Sequence, residues 1–255
     1  MIIKILGSGS AYGSPMCFNT WGEIKNHSHP YNHRSRFSVY LEDNGHKILI
    51  DMGPEFRLQT IANNISDIDA VYLTHGHYDH IAGIPELFRA AALLNKTVNV
   101  YAAEETFNEL KQCYGYMFGS HNETGKDLIR WHEITDGNNI IETMDWDCFE
   151  LPHNNIHSWG FRYKNFALIT DYDRLTNTVL NRLEGLDLLL LECNNGTQEL
   201  INGHSNWPKI KPYLERLQPK KTILTHLSAK VDYEAFKAIL PPDVDLAYDG
   251  MEIEM

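Results

Sequence analysis

Short apolar runs recur along the chain and are separated by polar or glycine-containing turns. Runs such as "DLLLLE" (187–192) and "KTILT" (221–225) are apolar at consecutive positions, which is typical of strands covered on both faces. "LEDNGHKILI" contains Asn44-Gly45, a residue pair favoured in two-residue hairpin turns. The pattern predicts strands at 2–6, 36–42, 46–51, 70–74, 98–102, 148–152, 160–164, 166–170, 187–192 and 221–225.

Longer amphipathic stretches lie between these runs and predict helices. Pro54, Pro85 and Pro208 stand near the starts of three of them, where proline is tolerated. The predicted helices are 54–64, 84–94, 104–113, 174–183, 206–217 and 232–240.

The order of these elements predicts an α/β fold with two packed sheets and helices on their outer faces. No low-complexity linker divides the chain, so we predict one domain over residues 1–255. The pattern does not determine the order of the strands.

Composition and charge narrow the function classes. Hydrophobic residues make up 43% of the 255 positions and charged residues 22%, as in ordinary globular proteins. The 22 Lys and Arg against 34 Asp and Glu give a formal charge of −12. This charge argues against an extended nucleic-acid surface, which needs a positive footprint.

The sequence also bears on location. No apolar run approaches the roughly 18 residues of a membrane helix, and "MIIKILGSGS" lacks the apolar stretch of a signal peptide. Cys17, Cys113, Cys148 and Cys193 form no CxxC pair, so we expect no disulfide framework. We expect a cytoplasmic protein that makes no membrane contact.

The stretch "THGHYDH" (74–80) concentrates titratable side chains directly after the predicted strand 70–74. His75, His77, Asp79 and His80 would lie on the connecting loop and the first turn of a helix beginning around Ile81. Imidazole and carboxylate are ligands suited to zinc, manganese or iron. One histidine here could be an ordinary polar turn residue, but this spacing favours a metal site with room for two ions.

The HxHxDH motif resembles the signature of the metallo-β-lactamase superfamily. Further family motifs match in the expected order: an aspartate after a strand, a histidine, an acid and a late histidine, at Asp51, His153, Asp171 and His226. The segments "GSGSAYGSP", "HSWGFRY" and "ILTHLS…YDGMEI" resemble in particular the phosphodiesterase of the carbon–phosphorus lyase pathway and its relatives. The resemblance implies a four-layer αββα sandwich with a dinuclear metal site at one edge of the two sheets.

The resemblance also implies the ligand sets. His75, His77 and His153 would bind one divalent ion, and Asp79, His80 and His226 would bind the second. Asp171 would bridge the two ions together with a water or hydroxide, the implied nucleophile. The ligands accept zinc, manganese or iron, so the identity of the metal stays open. His157 competes with His153, but the distance to "GFRY" favours His153.

Three further residues have expected roles around these ligands. His204 in "INGHSNWP" matches the histidine thought to be the general acid of the related phosphodiesterases, and imidazole suits that work. The alternative is a helix-capping loop in which Ser205 or Asn206 acts. With Asp79, His204 forms our predicted catalytic pair. Asp51 is the first candidate to orient a ligand histidine, and Asp249 is a second.

The chain departs from these relatives at a second site. They carry a cysteine cluster near the N-terminus and a histidine after the fifth motif, which hold a structural zinc. Here only Cys17 is present, and Ala229 stands where that histidine would be. We predict no structural zinc of that design. Whether His27, His29, His33 and Cys17 form another metal site stays open, and a solvated loop is the simpler interpretation. The stretch 111–131 is equally compatible with a substrate-lining lip and with ordinary packing.

The predicted function is hydrolysis of a small or cyclic phosphodiester, such as a nucleotide or ribose cyclic phosphate, by a two-metal enzyme. A tRNA 3′-processing endonuclease is an alternative, but residues 81–152 show no basic, glycine-rich arm. A glyoxalase-type thioesterase would need a helical domain after His226, and we expect none. A metal-binding protein without turnover is the alternative from another class. A homodimer stays open.

Overall fold

The computed structural model describes residues 1–119, 124–199 and 202–255, which form two seven-stranded mixed sheets. In the first sheet the strand order is β14-β1-β2-β3-β4-β5-β6. Its strands are β1 (Ile2–Gly7), β2 (Ser38–Asp43), β3 (His46–Ile50), β4 (Ala70–Tyr72), β5 (Val98–Ala102), β6 (Ile129–Glu133) and β14 (Met251–Glu254). The β3, β4, β5 and β6 strands pair in parallel, so their carboxyl ends lie at one edge.

The second sheet has the order β13-β12-β11-β10-β9-β8-β7. Its strands are β7 (Gly137–Ile141), β8 (Met144–His153), β9 (Ile156–Tyr163), β10 (Phe166–Ile169), β11 (Leu188–Glu192), β12 (Lys221–Thr225) and β13 (Val244–Leu246). The β10 to β13 strands pair in parallel, and β7 to β10 pair antiparallel. Each sheet thus has a parallel half and an antiparallel half.

The helices occupy the outer faces of the two sheets. They are α1 (Phe56–Ala62), α2 (Tyr78–Ile81), α3 (Ile84–Leu94), α4 (Glu104–Tyr114), α5 (Asn177–Arg182), α6 (Trp207–Leu217) and α7 (Tyr233–Lys237). Residues of α1, α3 and α4 pack on the outer face of the first sheet. Residues of α5, α6 and α7 pack on the outer face of the second. None of the helices in the described ranges is long and apolar enough to cross a membrane.

A third apolar cluster lies between the sheets. It joins alternate residues of the first sheet, such as Ile3 and Val39, to residues of the second, such as Trp146 and Phe161. Trp146 and Phe161 are fully buried. One inner and two outer apolar layers define the αββα sandwich predicted from the sequence, and that prediction is confirmed.

The predicted elements agree with the structure where the apolar pattern is strong. The predicted hairpin is confirmed, because Asp43 pairs with His46 and both Asn44 and Gly45 have positive φ. The helix α2 begins at Tyr78, within the histidine motif, so the predicted start around Ile81 was wrong. His77 is its N-cap residue, and Asp79 and His80 therefore lie within the first turn.

Candidate metal centre

The side chains of the candidate site project from the carboxyl ends of strands. Asp51 directly follows β3, the histidine motif follows β4, and His153 is the last residue of β8. Asp171 follows β10, and His226 follows β12. Strand ends held by two packed sheets position side chains more rigidly than a free loop would.

Three of these residues have a left-handed backbone that turns the chain at the strand end. The φ angles of Asp51, Asp171 and His226 are 57°, 51° and 56°. This region is uncommon for residues other than glycine and costs free energy that the surrounding structure must offset. Backbone strain of this kind clusters at functional sites.

The first predicted ligand group is brought together by β4 and β8. One nitrogen from each of His75, His77 and His153 lies within 4.8 Å of the others, close enough to hold one metal ion. His153 Nε2 is 3.3 Å from His77 Nδ1. His153 Nδ1 donates to the carbonyl of Gly203 at 2.7 Å, which leaves Nε2 facing the centre.

The second predicted group is equally compact. Atoms of Asp79, His80 and His226 lie within 4.8 Å of one another. Asp79 Oδ2 is 3.1 Å from His80 Nε2 and 3.6 Å from His226 Nε2. All three side chains are buried.

Asp171 lies between the two groups. Its Oδ2 is 3.3 Å from His80 Nε2 and 3.4 Å from His226 Nε2. Its Oδ1 faces the other way, 3.9 Å from His153 Nε2. One carboxylate therefore presents a different oxygen to each side of the cluster, which is the geometry that a bridging ligand requires.

The ring nitrogens of this cluster fit a cation. Among the described residues, Nε2 of His75, His80 and His226 is buried and has no hydrogen-bond partner. A buried polar atom without a partner is costly and calls for an explanation. Histidine nitrogens and carboxylate oxygens form a donor set suited to a divalent metal. A metal ion satisfies these atoms, so the cluster can hold one.

Electrostatics support the same interpretation. Burial, followed by the neighbouring His80, holds the pKa of His75 well below its usual value, which favours the neutral imidazole that metals bind. Burial also lowers the pKa of His80, but Asp79, Asp51 and Asp171 outweigh it and raise that pKa. Burial raises the pKa of Asp171, but the surrounding histidines, first His226, outweigh it and hold that pKa well below its usual value. Several carboxylates thus create a negative field that favours a bound cation.

The ligand histidines are oriented by a buried hydrogen-bond network that begins at Asp51. Asp51 Oδ2 accepts from His80 Nδ1 at 2.6 Å and from Thr74 Oγ1 at 2.7 Å. Thr74 Oγ1 lies 3.0 Å from His75 Nδ1 and can accept from it. Asp51 therefore has the orienting position predicted for it. Asp249 accepts from the backbone and hydroxyl groups of Ser8 and Ser35 instead, so it holds loops.

His204 lies at the edge of the cluster beside Glu192, a residue that sequence reasoning missed. His204 Nδ1 donates to Glu192 Oε1 at 2.9 Å and is 3.6 Å from Asp171 Oδ1. Burial lowers the pKa of His204, but the hydrogen bond to Glu192 and its negative charge outweigh burial and raise it to about 9. Glu192 itself is fully buried at the end of β11. The sequence signal that could have identified Glu192 is an acidic residue at the end of an apolar strand.

The remaining predicted candidates lie outside the cluster. His157 is 48% exposed and lies 3.4 Å from Glu150. His27, His29 and His33 use ring nitrogens in hydrogen bonds to Ile24, Glu234 and the His27 carbonyl. Among the described residues, these histidines and Cys17 are in no group able to hold a metal. In the stretch 111–131, residues 120–123 lie outside the described residues, and the question of a lip stays open.

The chain is similar to known proteins in sequence and in fold. Residues 46–227 match the family model described as β-lactamase superfamily domain. The crystal structure of a new diphosphatase from the PhnP family superposes with a TM-score of 0.89 at 27% identity, covering 100% of this chain and 97% of that one.

Curated relatives match over part of their length. An octanoyltransferase of Porphyromonas gingivalis is 25% identical over 97% of this chain and 50% of its own length. A ribonuclease Z of Methanococcus maripaludis is 30% identical over 76% of this chain and 60% of its own length. The chain thus spans about half to three-fifths of these relatives. The family match covers most of the chain and agrees with the sandwich and the histidine motif: the protein belongs to the β-lactamase superfamily, in its metallo-β-lactamase fold.

Proposed function

We propose that the chain is a hydrolase of phosphoric diesters that holds two divalent metal ions and acts on a small or cyclic phosphodiester. The observation that carries this proposal is the placement of Asp171, whose two oxygens face two separate ligand groups. The similarity to the PhnP-family diphosphatase and to the ribonuclease Z, whose names indicate cleavage of a diphosphate and of RNA, supports it, because both reactions break a bond between phosphorus and oxygen.

We divide the proposed ligands as the resemblance to the superfamily implies. His75, His77 and His153 would hold one ion, Asp79, His80 and His226 would hold the other, and Asp171 would contact both. When bound, such ions stabilise charge on a phosphoryl group and lower the pKa of a water molecule. Zinc and manganese suit this donor set, and iron is a third candidate.

His204 would supply the proton that a leaving alkoxide needs. The hydrogen bond from Nδ1 to the buried carboxylate of Glu192 favours the protonated imidazole. Its Nδ1 is held by Glu192, so its Nε2 is the nitrogen left to donate. A positioned general acid contributes typically about 10²- to 10⁴-fold to the rate. Glu192 would act as a positioning residue, because it fixes the ring and favours the charged form.

Acidic side chains beside the histidine motif favour a small substrate. Glu109 Oε2 lies where a side chain on Gly76 would stand, directly beside the histidine motif. Glu105 and Glu150 lie near His157 on the same side. These carboxylates and the overall charge of −12 disfavour a long phosphate backbone. Transfer-RNA processing is the second candidate, favoured by the 30% identity to a ribonuclease Z.

The test combines metal content with turnover. We would measure the bound metal and assay bis(p-nitrophenyl) phosphate, a panel of cyclic and linear diesters, and a precursor tRNA, with and without chelator. We expect activity on small diesters that the chelator abolishes. Fully metallated protein that is inactive on every diester would indicate a metal-binding protein without turnover. Preferred cleavage of the tRNA would support the second candidate instead.

Two histidine variants test the proton donor. His204→Ala should slow hydrolysis of a diester with an alkyl leaving group by at least about 100-fold, and affect a p-nitrophenyl diester far less. His157→Ala is the matched control, because that ring is exposed and outside the cluster. Equal losses on both diesters in His204→Ala would remove the general-acid role.

A further inference from the structure

An apolar groove lies on the outer face of the first sheet, lined by residues of α1, of α3 and of the connection between α1 and β4. Its cavity has a volume of about 210 Å³. We propose that this groove binds a free medium-chain fatty acid, with the hydrocarbon chain in the groove and the carboxylate at its rim. The inference goes beyond the proposed function and concerns a second site.

The groove lies at the opposite end of the strands from the candidate metal centre. Ile68, which precedes β4, and Val98, the first residue of β5, line it. The seven proposed metal ligands all belong to the described residues. They lie at or beyond the carboxyl ends of strands, and none of them lines the groove. A fatty acid bound in the groove would therefore leave the metal centre open.

The floor of the groove is buried and apolar. It consists of side chains from the outer apolar cluster of the first sheet, among them Phe56, Leu87 and Ala91. An apolar cavity of about 150 Å³ can already hold benzene. A groove of about 210 Å³ therefore has room for several carbon atoms. Each methylene that is fully buried there would strengthen binding by about 4-fold.

Exposed aliphatic side chains extend the apolar surface at the mouth of the groove. Leu93 and Leu94, at the end of α3, line it and are 75% and 57% exposed. Exposed apolar side chains that occur singly need no explanation. These two adjoin an apolar cavity, so floor and mouth together form one continuous apolar surface. A flexible hydrocarbon chain can cover such a surface along its length.

Two arginines at the rim supply charge complementarity. Arg57 on α1 and Arg89 on α3 line the groove, and both are exposed. Within the described part of the chain, neither guanidinium has an ion pair or a hydrogen bond. Arginine can bind a carboxylate through two parallel hydrogen bonds. Two unpaired cations beside an apolar cavity therefore favour a ligand with an apolar chain and an anionic head.

The other charged groups at the rim do not cancel these arginines. Lys96 Nζ lies 2.9 Å from Asp67 and 3.2 Å from Asp69, so these charges compensate one another. Glu86 is the other acid among the described residues that line the groove, and it is exposed. Two arginines against one glutamate leave the rim positive, although the whole chain has a formal charge of −12. The rim therefore favours a carboxylate over an uncharged head group.

The experiment compares ligands that differ in one feature each. Calorimetry on the full metallated chain would measure binding of hexanoate, octanoate and decanoate, and of octan-1-ol as the uncharged counterpart of octanoate. We expect the affinity of the acids to rise by about 4- to 14-fold for every two methylenes. Octanoate should bind more tightly than octan-1-ol. Equal affinities along the acid series, or for octanoate and octan-1-ol, would overturn the proposal.

A double variant tests the arginines. Arg57→Gln combined with Arg89→Gln should weaken binding of octanoate by about 2- to 25-fold and leave octan-1-ol unaffected, because each exposed ion pair contributes modestly. Arg216→Gln is the matched control at a surface arginine of α6, and should leave both affinities unchanged. Octanoate binding in the double variant equal to that of the wild type would contradict the placement of the carboxylate at this rim.

Two further variants test the groove itself. Ala90→Trp should block it and abolish binding, because Ala90 is a half-buried lining residue. Leu94→Gln serves if that variant does not fold, and should weaken octanoate binding by about 2- to 5-fold. Ile140→Gln, at an equally exposed residue of β7, is its control and should bind as the wild type does. Unchanged binding in both groove variants would place the ligand elsewhere and overturn the proposal.

Three other measurements distinguish alternative occupants and sites. Loss of octanoate binding on addition of chelator would place the carboxylate at the metal centre, whereas binding that the chelator leaves unchanged supports the groove. Cosedimentation with phosphatidylglycerol vesicles without binding of free octanoate would indicate a membrane surface and refute the proposal. A dimer that Leu94→Gln dissociates and octanoate does not would assign the groove to a second copy. Since none of these measurements needs turnover, they are decided independently of the phosphodiesterase proposal.

Discussion

At the scale of single residues, Asp51 illustrates how a buried acid can serve a site that it does not enter. Its two oxygens accept from the backbone and hydroxyl of Thr74 and from Nδ1 of His80, and it is fully buried. These bonds fix the tautomer of His80, so that Nε2 faces the centre. Residues that orient metal ligands in this way typically contribute about 10- to 100-fold to metal affinity.

Asp51→Asn should therefore weaken metal binding by about 10- to 100-fold. The amide keeps the shape of the side chain but turns an NH₂ group toward one of three donors. Competition with a chromogenic chelator measures the change. Asp187→Asn is the control, because Asp187 pairs with Lys220 at the surface. Metal affinity equal to that of the wild type in Asp51→Asn would contradict the orienting role.

At the scale of elements, Arg34 joins the long β1–β2 connection to the β12–α7 loop that follows His226. The buried guanidinium donates to the carbonyls of Tyr31, Ser228 and Val231 and to the side chain of Asn32. Burial lowers its pKa to about 10. Only arginine offers enough donors, in a fixed fork, to reach both segments. Through these hydrogen bonds Arg34 holds the β1–β2 connection and the β12–α7 loop together. These are the two segments between which the sequence predicts no structural zinc.

Arg34→Lys should lower the free energy of unfolding by about 2–4 kcal/mol. Lysine retains the charge but loses the fork, so it cannot reach all four acceptors. Urea unfolding followed by circular dichroism measures the loss. Arg216→Lys, at a surface arginine bound to Asn177 and Asn181, should change stability by no more than about 0.5 kcal/mol. Similar small changes in both variants would show that the loops are held by other contacts.

At the scale of the whole molecule, the two sheets are joined by the apolar cluster between them and by polar contacts at its margin. Asp43, at the end of β2, accepts from the hydroxyl of Tyr163 on β9 at 2.7 Å and pairs with Lys164. Burial raises the pKa of Asp43, but these contacts, first that with Lys164, outweigh burial and hold it below its usual value. The ionised carboxylate therefore stabilises the contact between the sheets.

The sign of this shift predicts a pH dependence. A lowered carboxyl pKa in the folded state contributes stability above the unfolded value of about 3.9, and this is lost as the pH falls through the folded value. Asp43→Asn should cost about 1–2 kcal/mol at pH 7, mainly through the Tyr163 bond. The difference from the wild type should shrink as the pH falls below about 4.

Urea unfolding at pH 7, 5 and 3 checks this expectation. Lys164→Gln is the control and should cost less than about 1 kcal/mol, because Lys164 is largely solvent-exposed. A constant difference between Asp43→Asn and the wild type at all three pH values would contradict the assignment to an ionised carboxylate.

Prediction from sequence succeeded for strands that pair with another strand on both sides. It failed for strands at the edges of the two sheets. The four strands that the pattern missed, β6, β7, β13 and β14, are the four edge strands. An edge strand pairs on one side only and is short or partly polar, as "GNNII" in β7 is, so it lacks a continuous apolar run. That residues 1–255 form a single domain stays a prediction.

The sequence by itself predicted the two packed sheets covered by helices and the inner strands of both described sheets, because local apolar patterns are readable without a partner, and the resemblance carried by the histidine motif implied the seven candidate ligands. Only the tertiary structure determined which side chains contact one another. It brought Glu192 to His204 and Arg34 to the loop after His226, and it turned the two oxygens of Asp171 toward different groups. These contacts join residues far apart in sequence, and their distances depend on how two sheets pack, which local patterns along the chain do not encode.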